Sequence, residues 1–279
     1  LELFQASALI HDDLIDGSDI RRGNPSIHRQ FATQHRTAGW RGQPDNFGAA
    51  AAILLGDLLL TWSDELFNTA HLANTVRRHS RAVLERMRTE VASGQYLDIL
   101  EQVSGDERPT GQADRARTVI RYKSARYSVE HPLVIGGSLA DAPAHLLAVY
   151  RDYGSALGEA FQLRDDILGV FGDPAHTGKP IGDDLREGKR TVLVAFAVER
   201  ANPAQATLIS HHLGDPTLDL SGVEALRQVF VDTGALARVE TRVSDLVAQA
   251  WLALKTADVT PEGHHALAQL IELATIRIR

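Results

Sequence analysis

The chain has 279 residues, 44% hydrophobic and 23% charged, which is globular composition and excludes disorder; one domain of this length buries about 75% of its unfolded surface. A net charge of −7 excludes a basic nucleic-acid surface, and the lack of cysteine excludes disulfides, thiolate metal sites and cysteine nucleophiles. The longest apolar runs, 48–56 and 191–198, fall short of the roughly 20 residues a bilayer span needs, and no signal peptide opens the chain, so a soluble, cytoplasmic protein with no transmembrane segment and no nucleic-acid partner is expected.

Helical periodicity runs through nearly the whole sequence. Leu1, Phe4, Ala8, Ile10 and Ile15 open a strongly apolar helix over 1–16, with the weak alternation of a buried helix. Further helices are predicted at 47–70, 72–104, 110–130, 143–171, 188–202, 222–231, 233–257 and 261–277. Breakers such as Gly23-Asn24-Pro25, Asp141 to Pro143, Gly172 to Pro180 and Gly214-Asp215-Pro216 punctuate them. Strand-like runs of period two are nearly absent, and no polar linker divides the chain. One all-α domain over 1–279 is predicted. Leu1 at the start and Met87 as the single methionine predict that the natural N-terminus, with its first helices, is missing from this sequence.

Two acidic clusters carry the chemistry. Asp12 and Asp16, four residues apart at the end of the first helix, share one face about 6 Å apart along the axis. Like charges there repel each other and oppose the negative helix end. A hard divalent cation removes the repulsion, and magnesium takes one or two carboxylates together with water and substrate phosphates. Alone, the pair reads equally well as a solvated acidic helix end beside Arg21 and Arg22. The second cluster, Phe161-Gln162-Leu163-Arg164-Asp165-Asp166, ends another long apolar helix. Two such helices facing across a bundle would hold several magnesium ions around one diphosphate. Arg21, Arg22, Lys123, Lys179 and Lys189 add phosphate-binding charge. His211-His212 and His264-His265 lack a partnered motif and read as surface residues, and His11 reads as a packing or hydrogen-bonding residue rather than a ligand.

Five blocks in this order resemble the trans-isoprenyl diphosphate synthases, the polyprenyl synthetase family, most of all bacterial geranylgeranyl diphosphate synthases. They are Asp12-Asp13-Leu14-Ile15-Asp16 with Arg21-Arg22-Gly23-Asn24-Pro25-Ser26-Ile27-His28; Gly94-Gln95-Tyr96-Leu97-Asp98; Tyr122-Lys123-Ser124; Phe161 to Asp166; and Thr177-Gly178-Lys179-Pro180 with Asp183 to Lys189. The resemblance implies the isoprenoid synthase fold, a helical bundle around a central cavity, as a homodimer with three Mg2+ ions. It implies condensation of isopentenyl diphosphate with an allylic diphosphate, the allylic cation forming first and a proton being lost last. Carried over, Asp12, Asp16 and Asp165 hold the metals; Arg21, Lys123, Lys179 and Lys189 bind the allylic diphosphate; Arg22 and Gln5 bind isopentenyl diphosphate; and Ser124 and Gln162 turn dipoles toward the cation.

The sequence departs from the family at Gly169, where a third acid is usual, and in lacking the upstream Gly-Gly-Lys-Arg block. Small residues at Ser7 and Ala8, where bulky aromatics floor the pocket for fifteen-carbon products, move the expected floor to Phe4, about 12 Å deeper along the helix. Geranylgeranyl diphosphate is the expected product, although Phe4 reads equally well as a core residue. Two other readings compete. A terpene cyclase shares the first motif, but its second metal motif fits poorly at Gly169 and Asp173, and the Arg21-Arg22 tandem favours a second diphosphate substrate. A non-catalytic partner subunit of a heteromeric synthase would be expected to have lost the acids that this chain keeps.

Overall fold

A computed structural model describes residues 1–104, 107, 108, 110–173 and 181–275. The described residues form two compact units, one from Leu1 to His71 and one from Leu72 onward. The sequence predicts a single domain, since the chain passes between the units through Ala70 to Ala73 with no glycine or proline to mark a boundary.

The first unit contains α1 (Glu2–Ile15), a hairpin of β1 (Ile20–Arg21) and β2 (Asn24–Pro25), α2 (Ile27–Ala38) and α3 (Pro44–Thr69). Gly17, at φ 68°, closes α1, and the Ser18 amide returns to the Asp13 carbonyl at 2.9 Å, as a left-handed helix cap requires. The hairpin escapes the periodicity argument because its turn is only Arg22-Gly23. Both residues have positive φ, 52° and 76°, matching the tight turn that suits two-residue hairpins. Arg29 then bridges Asp19 at 2.5 Å and Asp45 at 3.2 Å, tying the hairpin to the start of α3.

Helix α3 packs against α1 and α2. Where α1 crosses it, Gly56 receives the His11 imidazole; a Cβ at 56 would lie 2.1 Å from His11 Nε2. That nitrogen also meets the Ile53 carbonyl at 3.2 Å, so His11 packs and hydrogen-bonds, as expected. At 26 residues, with mean hydropathy 1.3 in its most apolar window, α3 is long and apolar enough to cross a membrane. Scanning apolar runs missed this because Asp57 interrupts the run while the helix continues through it.

The second unit holds α4 (Asn74–Ser104), α5 (Gln112–Val119), a π-helix (Ile120–Glu130), α6 (His131–Leu139), α7 (Ala144–Phe171), α8 (Asp183–Arg186), α9 (Val192–Arg200), α10 (Pro203–His212), α11 (Leu220–Asp232), α12 (Ala235–Lys255) and α13 (Pro261–Thr275). Its core gathers Tyr153, Leu157, Leu163 and Ile167 of α7 with Leu193 of α9, Leu226 of α11 and Val239 and Leu246 of α12. Helices α2, α6, α8 and α10 lie outside the predicted set. In α10 a proline sits in the first turn, where its missing N–H breaks no intrahelical bond.

The eleven-residue π-helix is the main departure from prediction, which reads 110–130 as one regular helix. Its wider turn runs into Pro132, whose ring would strike the carbonyl four residues back in a regular helix. Three glycines seat it. A Cβ at Gly94 of α4 would lie 2.3 Å from the Lys123 amide nitrogen; at Gly158 of α7, 2.3 Å from the Ala125 carbonyl; and at Gly154, 2.5 Å from the Glu130 Cα. The expected Tyr122-Lys123-Ser124 block therefore lies on a backbone held from two sides, in a helix type concentrated at functional sites.

Candidate active site

In the first unit, Asp16 donates its amide to the Asp12 carbonyl at 2.8 Å, so helical geometry persists through both acids and places them on one face. Both are half-buried, while Asp13 between them is buried. Arg21 explains Asp13: its Nε donates to Asp13 Oδ1 at 2.8 Å, a second nitrogen also reaches Asp13, and that nitrogen lies 3.3 Å from Asp12 Oδ2. Burial opposes the Arg21 charge, but the Asp13 bond and the charges of Asp13 and Asp12 outweigh it and hold its pKa above the ordinary value. Arg21 thus keeps its charge and is ion-paired within the acidic motif. Sequence reasoning gave Asp13 no role, because only the folded hairpin brings residue 21 back to it. Arg22 is exposed at the hairpin tip, in a backbone conformation that costs a non-glycine residue on the order of 1–3 kcal/mol. Gln5 is exposed on α1, Ser7 and Phe4 are buried, and Ala8 is half-buried.

In the second unit, Lys123 donates from Nζ to Asp98 Oδ2 at 2.6 Å, both side chains largely buried. Asp98 is therefore the charge that orients Lys123, and its place in the Gly94–Asp98 block was the only sequence signal for it. Ser124 is half-buried one residue on. Gln162 donates from Nε2 to Asp166 Oδ1 at 2.8 Å, and Asp165 is half-buried beside them. Burial pushes Asp166 up to about 8; the Gln162 bond opposes this, and the charges of Asp184 and Asp165 add to it. Lys189 lies 2.6 Å from Glu187 Oε2 and 3.4 Å from Asp184 Oδ1. Lys179 lies outside the described residues. The structure gathers Lys123 with Asp98, and Gln162 with Asp166, Asp184 and Lys189. The motif holds Asp184 and Glu187, but only the fold shows that both reach Lys189.

Among the described residues, no three His, Asp or Glu side chains converge into a ready metal cage. Magnesium does not require one, since it keeps waters and takes one or two carboxylates with substrate phosphates. The donor set fits it: oxygen ligands only, a carboxylate pair on one face of α1 in the first unit, and, in the second unit, Asp165 beside the buried Asp166.

Comparison with known proteins identifies the family. The sequence model of the polyprenyl synthetase family matches residues 1–230. A geranylfarnesyl diphosphate synthase of Aeropyrum pernix is 30% identical over 253 residues, 90% of this chain and 72% of that protein. A short chain isoprenyl diphosphate synthase of Methanothermobacter thermautotrophicus is 30% identical over 202 residues, 72% of this chain and 55% of that one. Among solved structures, the geranylgeranyl pyrophosphate synthase of Corynebacterium glutamicum, complexed with isoprenyl diphosphate and magnesium, superposes with a TM-score of 0.94 at 40% identity, covering 99% of this chain and 77% of its own. The chain belongs to the polyprenyl synthetase family of trans-prenyltransferases and has the all-α isoprenoid synthase fold.

Proposed function

We propose that the protein condenses isopentenyl diphosphate head-to-tail with an allylic diphosphate (dimethylallyl, geranyl or farnesyl) and releases geranylgeranyl diphosphate. One observation carries the activity: the Asp12–Asp16 pair on one helix face, followed at once by a hairpin that presents Arg22 at its tip in a strained conformation. Such an arrangement suits two diphosphates, one bound through metal and one through arginine. A terpene cyclase has no second diphosphate to bind.

Asp12, Asp16 and Asp165 would hold Mg2+, with three ions as the family expectation. Held by these carboxylates, Mg2+ would supply the positive charge that offsets the charge building on the leaving diphosphate. Lys123 and Lys189 add fixed positive charge to the same leaving group, as does Lys179 in the proposal, and this favours the transition state over the ground state. Asp98 keeps Lys123 from folding away, and Asp184 and Glu187 do the same for Lys189. Arg21 orders the first motif through Asp13 and adds charge toward the allylic diphosphate. The Ser124 hydroxyl and the Gln162 carbonyl supply dipoles that steady an allylic cation without capturing it; the Gln162 amide is already spent on Asp166. No protein base is assigned, since the departing diphosphate can take the proton.

Arg22 and Gln5 would bind isopentenyl diphosphate. Arg22→Gly is expected to leave the unfolding midpoint unchanged or raise it, because glycine adopts φ 52° without strain. The same change is expected to raise KM for isopentenyl diphosphate tenfold or more, with KM for the allylic substrate nearly constant. Steady-state kinetics with each substrate varied separately distinguish this from a purely structural role.

Product length is tied to α1. Phe4 is buried while Ser7 and Ala8 are small, so a growing chain running along this face meets its first bulky side chain at Phe4. Chromatography of the products should show twenty carbons for the native protein and longer chains for Phe4→Ala. An unchanged length in the variant would make Phe4 a core residue only.

A homodimer is part of the proposal. Leu54, Leu58, Trp62 and Leu66 recur every fourth residue along α3, all exposed. A membrane is a poorer cover for them, since Asp57, Asp64 and Glu65 lie on the same helix and each acid costs about 2.5–3.5 kcal/mol near a bilayer centre. The lack of cysteine suits the reducing cytoplasm.

A further inference from the structure

Glu90, Gly94 and Asp98 follow one another at four-residue spacing along one face of α4, and all three meet the π-helix or the residue that ends it. Gly94 seats the Lys123 backbone, and Asp98 holds the Lys123 ammonium at 2.6 Å. Glu90 grips the other end. Its Oε1 accepts from Arg126 Nη1 at 2.8 Å and its Oε2 from His131 Nε2 at 2.7 Å. The His131 side chain is 5% exposed and that of Glu90 16%, so water competes little for the bond between them. Arg126 and His131 are five residues apart, and the His131 amide donates to the Arg126 carbonyl, the bond that defines π geometry. In a regular helix, residues five apart point about 140° away from each other, so one carboxylate does not meet both from one side. Pro132 follows at once and has no N–H, which leaves a gap in the backbone ladder where the side-chain bonds act. Glu130 is buried beside the same guanidinium, its Oε2 3.3 Å from Arg126 Nε, and burial holds its pKa above the ordinary value.

We infer that Glu90 is a positioning residue: by holding Arg126 and His131 together it fixes the π register of 120–130 and so sets where Lys123 lies. The inference rests on the prenyltransferase reading above and deepens it, since Lys123 binds diphosphate only within that reading. π-Helices are rare and mostly single turns, so a run of eleven residues needs holding at both ends. Gly94 and Asp98 hold the Lys123 end, and Glu90 holds the end at His131. Released there, the run rewinds toward regular helix bonds, which turns Lys123 away from Asp98 and from the leaving group it serves.

The test uses Glu90→Gln, which keeps the shape but turns one acceptor into a donor that faces Arg126 or His131. Amide hydrogen exchange, followed by mass spectrometry, is expected to quicken about tenfold or more in peptides covering 120–131 and to stay native in α12. Steady-state kinetics are expected to show kcat lowered about tenfold to a hundredfold, with KM for isopentenyl diphosphate nearly constant. In a Lys123→Ala background the same change is expected to alter kcat hardly at all, because the lysine that Glu90 positions is gone. A purely structural role would cost the same factor in both backgrounds. Circular dichroism checks folding, and His131→Leu, which leaves the Arg126 bond in place, is read by the same criteria if Glu90→Gln does not fold. Native exchange over 120–131, an unchanged kcat, or an equal loss of kcat with and without Lys123 would each overturn the inference alone. No condensation by the native protein would overturn both the inference and the function on which it rests.

Discussion

Asp12→Asn is expected to lower turnover at least a hundredfold while leaving the unfolding midpoint unchanged or slightly raised. The two effects have opposite signs because the carboxylate pair is locally unfavourable. Asp12 and Asp16 share one face at the negative end of α1, with the Asp16 amide bonded to the Asp12 carbonyl, so removing one charge relieves repulsion. The loss of the Arg21 contact at 3.3 Å is small, because Asp13 holds that guanidinium through the shorter bonds. Turnover falls because charge on a leaving diphosphate is the main obstacle to allylic ionisation, and losing one preorganised electrostatic partner costs about 10²–10³ in rate. Asp16→Asn should behave alike. Asp13→Asn should differ: it frees Arg21 from its principal partner and should lower the midpoint. A paired measurement of thermal unfolding and steady-state rate separates these cases. If Asp12→Asn lost stability and kept its rate, the pair would be an ordinary helix end.

The metal-free protein is expected to lose stability as pH rises from about 4 to about 8. Asp166 has its pKa raised from the ordinary 3.8 to about 8, chiefly by burial. The unfolded chain gives up this proton near pH 4, whereas the folded protein keeps it until about 8. The contribution is therefore fully present below the unfolded value, is lost through the window between, and is gone above the folded value. Each unit of difference corresponds to about 1.4 kcal/mol, so the change is on the order of several kcal/mol. Asp166→Asn should flatten the slope, since an amide is neutral throughout and its oxygen can still accept from Gln162. Denaturant titrations at pH 4.5, 6 and 8 in chelator check this, and an equal slope in both proteins would assign the pH dependence to other groups.

Much of the fold and part of the site were legible in the sequence, for definable reasons. The long helices were visible because their apolar spacing is local, and the acids and cations because like charges crowded on one face demand a counter-ion. Proline in the first turn of α10 marks a helix start that apolar spacing alone does not show. The π-helix was hidden because its wider turn is set by glycines on two other helices, Gly94 and Gly158, and by Pro132 ahead of it. The Arg21–Asp13 and Lys123–Asp98 pairs, and the meeting of Asp184 with Gly169, join residues between 8 and 25 positions apart in sequence. A motif shows that such residues occur but not which carboxylate reaches which cation.

The central claim is elongation of an allylic diphosphate by isopentenyl diphosphate. The most direct measurement incubates the protein with Mg2+, isopentenyl diphosphate and farnesyl diphosphate and weighs the product by mass spectrometry. The proposed function predicts a linear twenty-carbon diphosphate that forms only when both substrates and the metal are present. Cyclic hydrocarbon from farnesyl diphosphate alone would contradict it, as would the absence of any condensation product from folded protein across the shorter starters.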